Sequence, residues 1–502
     1  MEKNYFTKMV LRAYLLLFMI ITTSVFAQVG IGTVTPNASS VLDVSSTTQG
    51  MLTPRMTTAQ RIAVVSPADG LIVYDTDLKS FYHYNSTLAS WSKMSSDGNG
   101  RLKFKIIKST DVLATVLAAE KTAGGSTKYL LDTNTLYEIN GIINVDLPIE
   151  LNNAYIIGMD AGEDKLIKAS GDLFTGATGG SVKVLTLTAT SGNVFNVIGT
   201  GSIASGTQTQ SLVLRDCIVA SSSNIGKIEN FALAFVSIVQ YLGNTTGIVY
   251  KDISKVLLSN AAWFGNNSGI YETFQGTFGL VEKTGGFSEV YGAAVGLDVS
   301  SNPTITGDAV IETVVFTGTL TTGKYVNGYS VGSYTGYNFN DKWTVRSAGV
   351  PNEGDAAATG DMNFDYAVGS GASTTFNNSN PSNIIKLLGI STSANLYRFS
   401  RNSTDNRLQY LGKKKRFFQL TGSVSFQVSN AGTYIIYIAK NGAPITQYKV
   451  YGKGLAANDI LVLPLIASTE LSTNDYLEVY VQRYSGGNND YIVTPNLNIV
   501  VK

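Results

Sequence analysis

Carboxylates are the side chains in this sequence that could do acid–base chemistry. Asp216 directly follows Arg215, and Asp160, Glu163 and Asp164 lie within five consecutive residues. Hydrolysis of a glycosidic bond needs two carboxyl groups about 5 to 9.5 Å apart, and sequence spacing alone does not establish such a pair. The pattern favours a surface ion pair for the first two residues and a solvated turn for the acidic cluster. Because the cluster lacks the D-x-[DN]-x-[DN]-G pattern of a calcium loop, we predict no catalytic residue and no metal site.

The single histidine and the single cysteine exclude further kinds of site. With only His83 and Cys217, the chain can build neither a Cys/His zinc cluster nor a disulfide within the chain. His83 lies in an aromatic run and Cys217 in an apolar run, so we predict a packed or surface-exposed histidine and a buried cysteine. No Walker loop or dinucleotide-binding fingerprint occurs, and no cofactor is predicted.

Aromatic residues alternate with amides in one stretch of the central chain. Aromatic faces can stack on sugar rings, and amides can hydrogen-bond to hydroxyl groups. The stretch contains Trp263, Phe264, Gly265, Asn266, Asn267, Tyr271, Phe274 and Phe278. From it we predict a ligand-binding site, for a glycan, formed by Trp263, Asn266, Asn267 and Tyr271. Packing in the core or at a subunit interface is the competing interpretation.

The near-neutral charge balance disfavours polyanionic partners. Lys and Arg total 37 against 36 Asp and Glu, so no bulk positive field would attract nucleic acid or an anionic membrane. The one basic run, Lys413–Arg416, is interpreted as a solvated neck rather than a polyanion site. We predict no nucleic-acid partner.

The overall composition is typical of a β-rich exported protein. The chain has 502 residues, 44% apolar and only 15% charged, against a usual charged share of about 25%. At this length roughly three domains are expected.

The first 27 residues have the pattern of a secretory signal peptide. Three basic residues precede an apolar run over 13–21, and Val25 and Ala27 stand at −3 and −1 from a cleavage site before Gln28. We therefore predict a secreted or cell-surface protein with no membrane-spanning segment after cleavage.

Residues 28–98 carry three spaced motifs. They are V-G-I-G-T-x-T-P-N-A-S-x-x-L-D-V at 29–44, G-x-L-x-P-R-M-T-x-A-Q-R at 50–61 and P-A-x-G-L-x-V-Y-D-T-D at 67–77. Together they resemble a leader common on secreted proteins of Bacteroidetes, and they are similar to repeated modules in phage tail-fibre proteins. The residues predict a hairpin of Leu71–Tyr74 and Phe81–Asn85. This resemblance implies a small fibre-like β module.

A neck is predicted over 99–128. It follows the Asp97–Gly100 break and contains a short helix over Asp111–Lys121. Asp111 is the predicted N-cap.

Residues 129–340 have a coil period. Short apolar runs beginning at Leu212, Phe235, Val256 and Phe278 start 23, 21 and 22 residues apart. A period near 22 predicts a right-handed parallel β-helix, in which stacked neighbours bury each coil's inward residues. The predicted buried stacks include Leu214, Ile238 and Leu258. The region resembles the pectate-lyase-like β-helices of phage tailspikes and surface adhesins in architecture and turn composition.

The C-terminal part is predicted as an irregular, loop-rich connector over 341–415 and an antiparallel sandwich over 416–502. G-x-Y at 432–434 and L-x-x-N-D-x-L-x-V-x-V at 471–481 resemble the jelly roll of the complement globular-head and tumour-necrosis-factor families. Asn474 stands where those families usually have glycine, and Asn tolerates the same left-handed turn. The resemblance implies a homotrimer packed through aromatic residues such as Tyr434 or Tyr480.

The predicted fold class is all-β: a small N-terminal β module, a parallel β-helix and a jelly-roll sandwich. The order of these modules behind a signal peptide favours a non-enzymatic, trimeric, fibre-like surface protein that binds a glycan or a surface protein. A secreted β-helix polysaccharide lyase or hydrolase is the first alternative. A phage or prophage tail fibre is the second, and the signal peptide disfavours it because phage structural proteins assemble in the cytoplasm.

Overall fold

The computed structural model describes residues 3–20, 28–94, 103–376, 384–402, 406–486 and 489–502. The chain divides into two compact units, Met1–Leu102 and Lys103–Lys502. The predicted cleavage motif at 25–27 and the predicted break at 97–100 lie outside the described residues. Within the described residues, no helix has both the length and the apolarity needed to cross a membrane.

The described part of the first unit contains small sheets and two helices. The helices are Lys3–Ile20 and Thr58–Ile62; strands Val29–Ile31 and Leu42–Val44 pair in parallel, and Arg55–Met56, Ile72–Asp75, Ser80–Asn85 and Ser90–Lys93 form a second sheet. The second helix begins with a capping box, because the Thr57 side chain accepts from Gln60 N and the Gln60 side chain accepts from Thr57 N. Ile72–Asp75 and Ser80–Asn85 pair antiparallel, which confirms the predicted hairpin. His83 lies half-buried within it.

The second unit begins with a parallel β-helix, and this prediction is confirmed. In the described part of the unit, 23 strands form one sheet in which every pairing is parallel. The strands are Phe104–Lys108, Tyr129–Leu130, Leu136–Asn140, Ile142–Asn144, Ile149–Glu150, Tyr155–Ile157, Lys165–Lys168, Phe174–Gly176, Gly180–Lys183, Thr186–Ala189, Asn193–Ile198, Ser211–Ala220, Asn224–Glu229, Leu233–Leu242, Thr246–Ser259, Ala262–Trp263, Ile270–Thr284, Phe287–Glu289, Val295–Asp298, Thr304–Ile305, Ala309–Thr317, Lys324–Asn327 and Trp343–Ala348. The stack thus begins at Phe104, inside the predicted neck.

The coil register differs from the predicted one by one to three residues. One inward column runs through Leu212, Ala234, Val256, Val281, Ala309 and Trp343, with spacings of 22, 22, 25, 28 and 34 residues. Phe278 pairs with Ile253, not Val256 as predicted, because this coil spans 25 residues and Val256 therefore pairs with Val281. The coils thus become longer along the chain while the column stays continuous.

Buried side chains fill the interior of the coils. Leu214, Leu258 and Cys217 lie inside, as predicted, and the inward direction alternates along each strand. An amide ladder runs up one corner: Ser222 N donates to Asn244 Oδ1 over 3.0 Å, and Asn244 N donates to Asn267 Oδ1 over 2.7 Å. These side chains satisfy backbone groups that the turns leave unpaired.

A second corner consists of residues in the left-handed conformation. They are Val184 (φ 53°), Asp216 (φ 54°), Ile238 (φ 54°), Asn260 (φ 51°), Gly285 (φ 65°) and Thr313 (φ 57°). The residues directly before them pair with one another from coil to coil. They are Lys183, Arg215, Ser237, Ser259, Thr284 and Glu312. The turn carries the Ile238 side chain outward, where it is 48% exposed. The prediction that Ile238 belongs to a buried stack is therefore wrong.

Two short helices, Leu113–Val116 and Ala118–Ala123, cover the first coils of the stack. Leu113 and Leu117 are buried in the same core as Ile107. The predicted helix is thus present in two pieces. Its N-cap is Val112 without a side-chain bond, whereas Asp111 accepts from Lys108 N, so the predicted cap is corrected.

Two antiparallel sheets form the C-terminal sandwich, with a buried core between them. The first contains Gly360–Asp365, Ala372–Thr375, Arg416–Val428, Ile460–Leu471 and Tyr491–Val501. The second contains Ile384–Lys386, Phe399–Asn402, Arg407–Tyr410, Gly432–Lys440, Ala443–Pro444, Val450–Gly454 and Tyr476–Ser485, and a 3₁₀ turn covers Thr446–Tyr448. Five of these strands lie in the predicted connector, where short strands interrupted by polar turns gave no clear alternation.

The structure places the three residues that were singled out for the sandwich, Asn474, Tyr434 and Tyr480. Asn474 has φ 72°, as expected for its turn. Tyr434 is fully buried between Phe376 and Phe426, at ring-centroid distances of 5.9 and 5.8 Å. Because Tyr434 packs inside its own chain, it is not available for a contact between chains, and that expectation is corrected. Tyr480 is half-buried.

The left-handed corner predicts the effect of a substitution at Ile238. A β-branched residue in this conformation is strained by about 1–2 kcal/mol, and Asn tolerates it, as at Asn260 one coil further on. Ile238→Asn should therefore raise the thermal unfolding midpoint slightly. Val236→Asn, the matched inward change, should lower it by several degrees because it buries an amide without partners. Equal losses for both variants would contradict the outward position of Ile238.

Candidate functional site

Three of the four residues predicted to bind a ligand lie inside the β-helix. Trp263 and Tyr271 have no exposed surface, and their rings stack at a centroid distance of 4.5 Å. Asn267 is buried in the amide ladder, where its Nδ2 donates to Tyr241 O over 2.6 Å and to Phe264 O over 2.7 Å. Only Asn266 is exposed. The predicted site is corrected: core packing explains Trp263, Asn267 and Tyr271.

Two of the carboxylates singled out in the sequence, Asp216 and Asp164, make described contacts within the chain. Arg215 Nη2 lies 3.6 Å from Asp216 Oδ2, and both side chains are exposed. Asp164 accepts from the backbone N–H groups of Gly141, Met159 and Asp160 over 2.7, 2.7 and 3.0 Å. Burial alone would raise the pKa of Asp164, but these N–H groups outweigh it and lower the pKa. In the described part of the chain, no group of three His, Cys, Asp or Glu residues could hold a metal ion.

The basic run at the predicted neck is partly buried. Lys413 Nζ lies 2.7 Å from Glu353 Oε2 with neither side chain exposed, and it also donates to Phe339 O over 3.1 Å. Burial lowers the pKa of Lys413 against the opposing effect of Glu353. The interpretation as a solvated neck is therefore wrong for Lys413, which joins the sandwich to the last coils. Lys415 is exposed and pairs with Glu470.

The first unit exposes most of its large apolar side chains. Among the described residues of 28–94, Val73 is the one buried apolar residue. Sixteen others are exposed: Val29, Ile31, Val34, Val41, Leu42, Val44, Met51, Leu52, Ile62, Val65, Leu71, Ile72, Leu78, Phe81, Leu88 and Met94. A soluble chain rarely leaves so much apolar surface without a partner.

A buried ion pair holds this exposed region in shape. Arg61 Nε lies 2.9 Å from Asp75 Oδ2, and both residues are buried. Thr58 Oγ1 donates to the same carboxylate over 2.8 Å, and the N–H groups of Asp77 and Leu78 donate to its other oxygen over 3.0 Å each. One carboxylate thus ties the short helix to the strand and turn of the hairpin.

The guanidinium of Arg61 also lies on an aromatic ring, with Cζ 3.9 Å from the centroid of Tyr82. This cation–π contact adds the return strand of the hairpin to the network. The sequence contains a signal for the ion pair. Arg61 ends the A-Q-R motif, and Asp75 directly follows the V-Y pair of the next motif. The interpretation of the motifs as a leader assigned these residues no role.

A known family is similar to this region. Residues 30–110 match the family described as a phage tail like trimerisation region. The chain is therefore phage-tail-fibre-like in this part, and the match supports self-association as a trimer. No curated protein matches the chain.

Solved structures resemble the chain only distantly. The Acinetobacter phage vB_ApiP_P1 tailspike protein matches 90% of this chain and 98% of its own at 11% identity, with a TM-score of 0.28. A Pantoea stewartii glycan biofilm modifying enzyme with a tailspike-like parallel β-helix fold matches 87% and 65% at 10% identity, TM-score 0.22. Eiger TNF from S. frugiperda matches 29% and 91% at 9% identity, TM-score 0.20. Likenesses this low carry no information on ligand or activity.

The Asp75 network predicts acid sensitivity of the first unit. Burial alone would raise the pKa of Asp75, but hydrogen bonds from Leu78, Arg61, Thr58 and Asp77 lower it to about 2. An unfolded Asp has a pKa of about 3.9, so the stabilisation is present above that pH and is lost as the pH falls toward 2. Hydrogen exchange of residues 72–85, corrected for intrinsic rates, should rise across this window.

Asp75→Asn should remove that pH dependence and raise exchange at neutral pH. Glu312→Gln, in the second unit, is the control and should change neither. Unchanged protection in Asp75→Asn at neutral pH would show that the network does not hold the hairpin.

Proposed function

We propose that this chain is a non-enzymatic, trimeric, fibre-like protein that is exported and recognises a partner at the cell surface or in the medium. The observation that carries the proposal is the exposed apolar surface of residues 28–94. Three chains that bury these side chains against one another would form the core that one chain lacks. A closed threefold arrangement covers this surface without leaving a free interface.

The energetics favour association strongly. Full burial of one large apolar side chain contributes roughly 1.5–3 kcal/mol. If half of the sixteen exposed side chains in each chain are buried, the gain is on the order of 12–24 kcal/mol per chain. This is comparable to or larger than the cost of association, about 4–15 kcal/mol.

A second surface supports contacts between chains in the sandwich. Strand Ile460–Leu471 lies at the edge of its sheet, and it exposes Ile460, Val462, Pro464 and Ile466 in alternation. Long apolar edge strands associate unless they are protected. Pro464 cannot donate a backbone hydrogen bond, which disfavours strand addition and leaves side-chain packing as the mode of contact.

Substitutions in the exposed apolar set test the trimer. Leu52 and Val65 are 82% and 89% exposed in the single chain, so Leu52→Asp with Val65→Asp would be harmless to a monomer. In a trimer the two carboxylates would enter an apolar interface at high cost. We expect the wild-type chain from Gln28 to have three times the chain mass in sedimentation, and the double variant to dissociate.

Val368→Asp is the matched control, because Val368 is fully exposed in the second unit, and it should leave the mass unchanged. A wild-type monomer at micromolar concentration would overturn the proposal.

Export and the lack of catalysis are tested on the same purified protein. The positive, apolar and small-residue segments of 1–27 support cleavage before Gln28, so the extracellular protein should have the intact mass of a chain that begins at Gln28.

The exposed Arg215–Asp216 pair supports an ionic rather than a catalytic role for Asp216. Incubation with polysaccharides should release no reducing ends. Release that Asp216→Asn abolishes, in a folded variant, would replace the fibre proposal with an enzyme.

A further inference from the structure

An aromatic surface lies on the outside of the β-helix. It begins at Phe264, the residue next to the buried Trp263 along the chain. Trp263 pairs with Ser288 across adjacent coils, and both are fully buried. The residues beside them therefore face outward. Phe264 and Phe287 lie half-buried on this face with ring centroids 5.0 Å apart, nearly perpendicular to each other. Tyr291 follows and is 46% exposed. We call Phe264, Phe287 and Tyr291 the aromatic platform.

Tyr291 is held in place by a short network. Its hydroxyl donates to Glu289 Oε1 over 2.8 Å, and Gly265 N donates to Glu289 Oε2 over 2.8 Å. The ring lies directly over Gly265, since a Cβ there would come within 2.3 Å of Tyr291 Cε2. The ring is thus fixed before any ligand arrives, and binding costs little side-chain entropy.

A carboxylate and two amide side chains surround the platform. Glu289 has lone pairs beyond the two bonds that it accepts, so it can accept further hydrogen bonds from hydroxyl groups. Asn266 is exposed and accepts from Gly243 N through Oδ1 over 3.2 Å, which leaves its Nδ2 group as a donor. Gln240, on the same face, is exposed and pairs with Ala262.

We propose that the aromatic platform binds a neutral glycan. A pyranose ring presents C–H groups on its faces and hydroxyl groups around its rim, which matches aromatic faces bordered by a carboxylate and amides. The charge of Glu289 disfavours an anionic sugar at this place. The inference rests on the proposed function and specifies the partner as a glycan rather than a surface protein.

The experiment uses the full chain from Gln28 and a defined set of probes. These are immobilised maltohexaose, cellohexaose, laminarihexaose, mannohexaose and chitohexaose, with polygalacturonic acid as the anionic probe. We expect binding to at least one neutral probe and none to polygalacturonic acid. Tyr291→Ala should weaken that binding at least about tenfold. Tyr155→Ala, an exposed tyrosine on an early coil, is the matched control and should bind like the wild type.

Gly265→Ala is a second variant that keeps every ring of the platform. Its methyl group would displace the Tyr291 ring, so binding should fall as in Tyr291→Ala, while the thermal unfolding midpoint shows that the β-helix remains folded. No binding to any neutral probe, or equal binding by Tyr291→Ala, would overturn the inference.

Sedimentation of the same variants separates this inference from the proposed trimer. If Tyr291→Ala changes the mass of the assembly instead of binding, the platform is a contact between chains and the glycan inference fails. If the mass stays trimeric and no probe binds, the glycan inference fails while the fibre proposal stands. A monomeric wild type would count against the fibre proposal alone.

Discussion

Each coil of the β-helix can bury its inward side chains only against the next coil, and the second unit depends on this requirement. A register shift therefore leaves the inward column continuous and moves extra residues into corners. The left-handed corner and the amide ladder repeat because every coil must turn at the same place. Both ends of the stack need covering, and the first is covered by two short helices, with Leu113 in the first helix and Leu117 between the two.

The same requirement acts in the first unit with a different outcome. Residues 28–94 have apolar side chains but almost no interior of their own, and the Arg61–Asp75 network orders the chain without supplying a core. Hydrogen bonds and charge here determine shape, while the apolar surface determines association. This separation explains how a region can have defined strands and turns while most of its large apolar side chains stay exposed.

Features with a clear period in the sequence are predictable. Whether one side chain faces inward or outward is not, where a shift of a single residue reverses the answer. The β-helix is predictable from a coil period near 22 residues, and the hairpin and the sandwich are predictable from short alternating runs separated by turn residues. Trp263 is predicted to bind a ligand but points inward, whereas Phe264 beside it points outward, because period-two alternation makes one residue decisive. Ile238 was misplaced because a left-handed corner interrupts that alternation. Three strands of the connector pair with partners more than 80 residues away, as Ile384–Lys386 does with Tyr476–Ser485, and local pattern cannot reveal such pairings.

The spacing of the inward column also determines how the chain uses its length. Neighbouring strands lie about 4.8 Å apart, so a coil of 22 residues lengthens the stack by only about 4.8 Å. The same number of residues in a helix would span about 33 Å. The chain thus forms a thick, short stack instead of a long, thin one. Such a stack resists bending because packed side chains fill its cross-section, whereas a single extended backbone has no packed interior.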